Sequence, residues 1–284
     1  MKIGRFKIKL IGLLVFTILA CTKSIAQQVV QYKKVDTTKL YIEIYSPEKI
    51  ETTKQYPAMV FFFGGGWISG NRNQFKNHAK YFSKRGIVCF LVDYRTKVNN
   101  TTPFESLKDA KSAIRYVRDN HSKYNVDPNK IIAAGGSAGG HLAAATALID
   151  GYNEKTDNLS VSCKPNVLVL FNPVIDNGPG GYGFERIADE YKNFSPLHNI
   201  KKGAPPTILL LGTKDALIPL QTIEYFKLVM NKVGSVCDLK LYKDQVHGFF
   251  NYANFINYKQ TIEETDAFLQ SLGLLKIEPL IKIE

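Results

Sequence analysis

Short apolar runs alternate with amphipathic stretches along almost the whole chain, and this alternation limits the folds that the sequence can adopt. Several runs are apolar throughout, which is typical of strands covered on both faces in a parallel sheet. The predicted strands are Leu40–Tyr45, Ala58–Phe63, Val88–Tyr94, Lys130–Ala134, Val167–Phe171, Thr207–Leu211 and Leu239–Tyr242. The predicted helices between them include Gln74–Arg85, His141–Ile149, Leu220–Val233 and Tyr258–Leu272. This order predicts one α/β domain with a mostly parallel central sheet flanked by helices.

A further helix is predicted from Thr102, which is followed by Pro103 and by Glu105 three positions on. Thr at the N-cap and Glu at the third helical position form a capping box, and Pro suits the first helical position. The apolar residues that follow recur at helical spacing and predict one buried face.

The N-terminal segment predicts an export signal rather than a folded element. Residues 2–9 carry four basic and no acidic residues, and the uncharged run Leu10–Ala20 is 11 residues long. A bilayer-spanning helix needs about 20 apolar residues, so this run is too short to span. Ser24-Ile-Ala26 supplies small residues for cleavage, so we predict a signal peptide at residues 1–26 and secretion. The alternative is a lipobox that ends at Cys21 and leaves a lipid-anchored protein.

The positive charge does not by itself indicate a nucleic-acid partner. Residues 1–26 hold five basic and no acidic residues, so their removal lowers the formal charge from +12 to +7. The remaining lysines are scattered, without a basic tract or an interleaved aromatic patch, which favours a solvated surface. No Cys and His spacing resembles a zinc site, so neither a metal nor a nucleic-acid partner is expected.

Three cysteines remain after cleavage at Ala26. Cys89 lies within an apolar run and is predicted to be buried. Export permits disulfides, and a bridge between Cys163 and Cys237 is one alternative that the sequence leaves open.

A Gly-x-Ser-x-Gly motif at residues 135–139 follows an apolar strand and precedes an Ala-rich helix. In that context a strained turn lifts the hydroxyl of Ser137 above the sheet, and the helix N-terminus favours negative charge there. The motif therefore predicts Ser137 as a nucleophile.

A serine nucleophile needs a base and an acid that orients the base, in the chain order Ser, acid, His for this type of fold. Asp215 and His247 each follow a late predicted strand, so both are expected at the sheet edge where Ser137 emerges. Asp176 and Asp244 are alternative acids. His141, which begins the helix after the motif, is interpreted as structural.

Three glycines follow an early predicted strand, in the run Phe63-Gly-Gly-Gly66-Trp67. Such a loop can turn backbone N–H groups toward an oxyanion, and the residue after the nucleophile supplies another donor. This glycine loop and Ala138 are therefore predicted to supply oxyanion donors. Trp67 is a candidate substrate-binding residue for stacking on a sugar, with packing in the core or at the rim of the site as the alternative.

Together these segments resemble the α/β-hydrolase esterase and lipase group, which includes hormone-sensitive-lipase-like enzymes and bacterial acetyl-xylan and feruloyl esterases. The resemblance rests on the glycine loop, the serine motif, the segment Gly212–Asp215 and the segment His247–Phe249. It implies a catalytic domain at residues 27–284, a serine esterase reaction and no cofactor. By the same resemblance Ser137 is the nucleophile, His247 the base and Asp215 its orienting acid, and the oxyanion donors are Gly65, Gly66 and Ala138. The group usually carries His before the three glycines, where this chain has Phe63.

The segment between the predicted strands Val167–Phe171 and Thr207–Leu211 bears on the substrate. Lipases of this group bury the acyl chain under a cap, whereas here residues 172–206 are polar and rich in glycine. We therefore expect no large cap domain, and a short acyl group, with acetyl favoured, on a carbohydrate. The alternatives are a prolyl-oligopeptidase-type peptidase, an arylformamidase-like amidase, a lipase and an inactive binding module.

Overall fold

The computed structural model describes residues 28–277 and 281–283. The predicted signal peptide at residues 1–26, including the alternative lipid-anchor site at Cys21, lies outside the described residues. Signal peptide, secretion and domain boundary therefore stay predictions. Within the described ranges, no helix combines the length and the apolar character needed to cross a lipid bilayer.

Eight strands form one sheet in the order β1-β2-β4-β3-β5-β6-β7-β8. The strands are β1 Gln28–Val35, β2 Thr38–Tyr45, β3 Tyr56–Phe62, β4 Val88–Val92, β5 Val126–Gly136, β6 Val167–Phe171, β7 Thr207–Gly212 and β8 Cys237–Tyr242. β1 and β2 pair antiparallel, as do β2 and β4, and all other neighbouring strands are parallel. The predicted α/β class with a mostly parallel sheet is confirmed.

Helices cover both faces of the sheet. They are α1 Lys76–Lys84, α2 Pro103–Asp119, α3 Ala138–Leu148, α4 Phe184–Ile187, α5 Tyr191–Phe194, α6 Leu220–Lys232 and α7 Phe255–Ser271. Apolar side chains of α2, α3 and α6 join one core cluster, and those of α1 and α7 join the cluster on the opposite face. β4, β6 and β7 are buried along their whole length because both faces are covered.

Strand β1 was not predicted from the sequence, because half of its residues are Gln or Lys and Lys33 alone among its eight residues is buried. It is held by pairing with β2 and by Lys33, whose ammonium lies 2.7 Å from a carboxylate oxygen of Asp109 and 3.0 Å from one of Glu154. The first helical turn after the serine motif also starts earlier than expected, at Ala138 rather than His141.

Residues 172–206 contain only the short helices α4 and α5 and three-residue or four-residue 3₁₀ turns, so the part of the chain that the structure describes has no large cap domain over the sheet. The predicted capping box at Thr102 is present, with the Thr102 N–H donating to the Glu105 carboxylate at 3.0 Å. Cys89 is buried as predicted. Cys163 and Cys237 are both free thiols, so the alternative of a bridge between them is wrong.

Candidate active site

Ser137 occupies the sharp turn between β5 and α3. Its backbone has φ +53° and ψ −120°, a conformation that L residues seldom adopt. The turn is fixed from two sides, since the Ser137 N–H donates to the carbonyl of Phe171 at 3.0 Å and the Val174 N–H donates to the carbonyl of Ser137 at 3.1 Å. The strain and the strand-to-helix context are those that the serine motif predicts.

The imidazole of His247 bridges Ser137 and Asp215. Its Nε2 lies 2.9 Å from the Ser137 hydroxyl oxygen, and its Nδ1 lies 2.8 Å from Oδ2 of Asp215. An ionised carboxylate only accepts hydrogen bonds, so Nδ1 carries the proton and Nε2 is free to accept from the serine hydroxyl. This is the arrangement in which a histidine can remove the serine proton.

The carboxylate of Asp215 is enclosed while the imidazole remains accessible. The side chain of Asp215 is 1% exposed and that of His247 is 23% exposed. Oδ1 of Asp215 accepts the backbone N–H groups of Leu217 and Ile218 at 2.9 and 3.0 Å. Because these bonds fix Oδ1, Oδ2 is left to hold the imidazole in one orientation.

The topology of the sheet brings Asp215 and His247 together. Asp215 follows β7 and His247 follows β8, and these two strands are parallel neighbours. Their loops are also joined directly, because the Lys214 N–H donates to the carbonyl of Gln245 at 2.9 Å and the Asp244 N–H donates to the Thr213 hydroxyl at 2.8 Å.

The alternative acids lie elsewhere. Asp176 accepts the Gly178 N–H at 2.8 Å and lies 3.8 Å from Nδ1 of His198, while Asp244 forms an ion pair with Lys214 at 3.0 Å. Neither carboxylate contacts His247 within the described residues, so both alternatives are disfavoured.

His141 is fully buried, as its structural interpretation requires. Its Nε2 lies 2.9 Å from the carbonyl oxygen of Phe194, to which it donates. Burial lowers the pKa of His141 to about 3, which keeps the ring neutral near pH 7. His141 therefore links α3 to α5 beneath the site.

The glycine loop lies beside Ser137. A Cβ built on Gly64 would stand 3.3 Å from Cβ of Ser137, so the loop and the serine turn are in contact. Gly65 and Gly66 have φ +132° and +63°, which glycine adopts readily. In the part of the chain that the structure describes, the N–H groups of Gly65 and Gly66 donate to no protein acceptor. Ala138 is the first residue of α3, a position at which the N–H has no partner in its own helix.

The prediction that Trp67 stacks on a sugar is wrong. Its side chain is only 2% exposed, with the ring edge-on to His141 at a centroid distance of 5.1 Å and 6.2 Å from Phe194. The backbone at φ +56° turns the indole inward under the loop. Trp67 therefore supports the glycine loop from below and presents no face to a ligand.

Phe63, which stands where the group usually has His, is also a core residue. Its ring stacks on Tyr94 at a centroid distance of 4.0 Å with 15° between the planes. The Tyr94 hydroxyl donates to the carbonyl oxygen of Phe63 at 2.6 Å. The entry to the glycine loop is thus fixed by aromatic stacking and a hydrogen bond to the main chain.

Four residues near the site were not predicted from the sequence. The side chain of Arg186 donates to the carbonyl of Gly66 at 2.5 Å, and those of Gln74, Asn172 and Asn251 contact the glycine loop or the histidine loop. Of these, Asn172 had a weak signal in its position directly after β6, at the carboxyl edge of the sheet. The others depend on contacts between segments that are distant in the chain.

Solved structures and known protein families include close matches to this chain. The apo form of Thermogutta terrifontis esterase 2 superposes with a TM-score of 0.85 at 40% identity, and the match covers 89% of this chain and 97% of that one. The chain belongs to the α/β-hydrolase esterase group. A family model described as BD-FAE matches residues 42–179 of this esterase-group chain, and the dienelactone hydrolase family model matches residues 171–276.

More distant relatives of the esterase-group chain are themselves described as ester hydrolases. A probable isoprenylcysteine alpha-carbonyl methylesterase of Oryza sativa is 27% identical over 75% of this chain and 56% of its own length. An acetylxylan esterase of Xylanibacter ruminicola is 26% identical over 76% of this chain and 45% of its own length. The chain thus spans about half the length of the curated relatives it matches.

Proposed function

We propose that this protein is a serine esterase that removes short acyl groups, with acetyl preferred, from a carbohydrate. The observation that carries the proposal is the position of His247, whose two ring nitrogens lie 2.9 Å from the Ser137 hydroxyl and 2.8 Å from the Asp215 carboxylate. Membership in an esterase group and two ester-hydrolase relatives support the same reaction.

The first half of the reaction forms an acyl-enzyme. Oγ of Ser137 attacks the ester carbonyl carbon while Nε2 of His247 takes the hydroxyl proton, and Asp215 stabilises the resulting imidazolium. The carbonyl oxygen becomes an oxyanion, to which the N–H groups of Gly65, Gly66 and Ala138 donate. The intermediate collapses when the C–O bond to the alcohol breaks, and the alcohol leaves with the proton from Nε2.

The second half releases the acid. A water molecule gives a proton to Nε2 of His247 and attacks the acyl carbon, which forms a second oxyanion in the same N–H groups. Collapse of this intermediate breaks the bond to Oγ, which takes the proton back from Nε2. The residues that we assign to this chemistry need no metal or organic cofactor.

The small acyl group is supported by the openness of the site and by relatives. Residues 172–206 carry only helices of four residues, α4 and α5, in the place where a cap would cover a long acyl chain. Thermogutta terrifontis esterase 2 has been solved with propionate and with butyrate bound, at 39% and 38% identity to this chain. The acetylxylan esterase relative supports a carbohydrate as the alcohol half of the substrate.

Export through cleavage after Ala26 remains part of the proposal. A secreted esterase meets polymeric carbohydrate outside the cell and can remove its acyl groups there. The alternative anchors the protein through a lipid on Cys21. Intact mass of the protein expressed with its natural N-terminus separates a chain that begins at Gln27 from one that begins at a lipid-modified Cys21.

The test compares the mature protein with Ser137→Ala and with Ser122→Ala, an exposed serine after α2 as the matched control. Release of p-nitrophenol from acetyl, butyryl and decanoyl esters and release of acetate from acetylated xylan are measured at equal protein concentration. We expect the acetyl ester to be hydrolysed faster than the decanoyl ester. Turnover should be lost in Ser137→Ala and unchanged in Ser122→Ala. Unchanged turnover in Ser137→Ala would refute the mechanism, and preference for decanoyl esters would refute the open, short-acyl site.

A further inference from the structure

A chain of side-chain amides joins the glycine loop to the histidine loop. The Gly64 N–H donates to Oε1 of Gln74 at 2.6 Å, and Nε2 of Gln74 donates to Oδ1 of Asn251 at 3.0 Å. Nδ2 of Asn251 then donates to the carbonyl of Gly248 at 2.8 Å. Gly248 directly follows His247, so these three bonds connect the loop of predicted oxyanion donors to the base.

The direction of every bond in this chain is fixed by the main chain at its two ends. Gly64 offers an N–H, which can only donate, so it faces the oxygen of the Gln74 amide. Gly248 offers a carbonyl, which can only accept, so it faces the nitrogen of the Asn251 amide. The two amides must then meet with the nitrogen of Gln74 toward the oxygen of Asn251, which is the arrangement observed.

The neighbouring side chains hold the same two segments at one distance. Phe75 follows Gln74 and stacks on Phe250, which precedes Asn251, with ring centroids 5.5 Å apart and 15° between the planes. Both rings are buried. The stacked rings thus fix the distance between the two segments, and the hydrogen-bonded amides fix how the segments are aligned with each other.

Asn172 holds the histidine loop from the other side. Its Oδ1 accepts the Gly248 N–H at 3.1 Å, which turns Nδ2 toward Nε2 of His247 at 3.4 Å. Gly248 is therefore held at both its N–H and its carbonyl, by Asn172 and Asn251. The peptide that follows the base is fixed independently of the bond between His247 and Asp215.

We propose that Gln74 and Asn251 are positioning residues that keep the oxyanion donors of the glycine loop aligned with His247. The inference rests on the serine esterase function proposed above. In each half-reaction the reacting carbonyl group must lie within reach of His247 and of the oxyanion donors in the glycine loop at the same time. A small displacement of either group lowers the rate strongly. Neither residue touches the reacting atoms, so the effect appears in turnover rather than in substrate binding.

The experiment is a double-mutant cycle on the mature protein with Gln74→Ala, Asn251→Ala and the double variant. Gln221→Ala, on the exposed face of α6, is the matched control. We expect kcat for p-nitrophenyl acetate to fall about 10- to 100-fold in each single variant with KM within about twofold, because a displaced oxyanion loop weakens transition-state stabilisation. Since both changes break one chain, the double variant should lose no more than about threefold beyond the poorer single variant.

Gln74→Glu supplies a readout that a purely structural role would not produce. A protonated carboxyl has an acceptor and a donor, like the amide, whereas the ionised form only accepts. The activity of Gln74→Glu relative to wild type should therefore rise as pH falls from 8 to about 5. When Asn251→Ala is added to Gln74→Glu, this rise should disappear, because the amide oxygen that accepts from the protonated carboxyl is gone. Gln74→Ala has no carboxyl and should show no such rise.

The outcomes separate this inference from the proposed function. Additive losses, a kcat within twofold of wild type in both single variants, or a pH-dependent rise that persists without Asn251 would each overturn the positioning role. Those results combined with an inactive Ser137→Ala would leave the esterase mechanism standing. Full activity in Ser137→Ala would instead refute the mechanism on which the inference rests. Thermal unfolding of each variant shows whether a loss of kcat merely follows a loss of folded protein, which would also overturn the inference.

Discussion

Gly139, in the first turn of α3, lies against the main-chain carbonyl of Phe62, the last residue of β3. A Cβ built on Gly139 would overlap the carbonyl oxygens of both Phe62 and Phe63. The helix behind the nucleophile and the strand that leads into the glycine loop are therefore in direct backbone contact. Any side chain at this position must push the two apart.

Gly139→Ala should consequently destabilise the fold and lower activity together. Overpacking against rigid backbone costs about 3 kcal/mol, which lowers Tm by about 6–12 °C in a chain of this size. Gly151→Ala is the matched control, since a Cβ there meets no atom within 4 Å. Thermal unfolding and p-nitrophenyl acetate turnover test both variants. Equal Tm values for the two would contradict the contact.

Asp215→Asn should abolish most of the activity without unfolding the protein. An amide still accepts the N–H groups of Leu217 and Ile218, but it can present NH₂ to Nδ1 of His247 and so drive the ring proton to Nε2. That tautomer no longer accepts the Ser137 proton, and a loss of about 10⁴-fold in kcat is expected.

Asp244→Asn is the control for this variant. Asp244 lies in the same loop as His247 but forms an exposed ion pair with Lys214, so its kcat should stay within about twofold of wild type. A loss in Asp244→Asn that equals the loss in Asp215→Asn would mean that the acid has been assigned to the wrong residue.

His78 should make the protein less stable in acid. It is fully buried against Phe75, Phe171 and Tyr258, and burial lowers its pKa to about 3. In the unfolded chain a histidine takes up a proton near pH 6.5, so stability is lost as pH falls from about 6.5 toward 3. His78→Leu removes this dependence.

The measurement is Tm against pH from 7 to 4 for wild type, His78→Leu and His121→Gln, a partly exposed histidine that serves as control. The Tm of His78→Leu relative to wild type should rise steadily on acidification. His121→Gln should follow wild type throughout. Parallel curves for His78→Leu and wild type would show that His78 is not held neutral in the folded protein.

Phe63→His, which restores the residue usual in the group, should weaken this protein. The site is 3% exposed and shaped by the stack on Tyr94, and a polar ring placed there lacks an obvious partner. Burial of such a group costs about 1–3 kcal/mol. Tm should fall and kcat should not increase, whereas Phe255→His, at an exposed position, should leave both unchanged. A gain in kcat would show that the loop lacks an organising imidazole.

The core strands were predictable because their covering on both faces demands wholly apolar runs, as in Val167–Phe171 and Thr207–Leu211. The order of Ser137, Asp215 and His247 was also visible, because each follows a strand and parallel strands end at one edge. Strand β1 was not predicted because it is a largely unburied edge strand, half of it Gln and Lys, and it is specified by its pairing with β2 and by the ion pairs of Lys33.

The side-chain contacts inside loops were the other part of the structure that could not be predicted from the sequence. Trp67 follows three glycines in a loop, and only its positive φ and its contact with His141 show that the ring turns inward. Gln74 and Asn251 are separated by 177 residues, and an isolated amide has no periodic pattern that would reveal its partner. Side chains whose role depends on a long-range contact become visible only in three dimensions.

The order of the strands in the sheet links the return of activity to the last steps of folding. Ser137 follows β5 in the middle of the sheet, whereas the proposed acid Asp215 and the proposed base His247 follow β7 and β8, the last two strands of the described residues. Among the described residues β8 pairs with β7 alone, so we expect it to dock only after β7 is in place. If Ser137, Asp215 and His247 act together as proposed, we therefore expect activity to return during refolding only after β7 and β8 have paired, later than the collapse of the core.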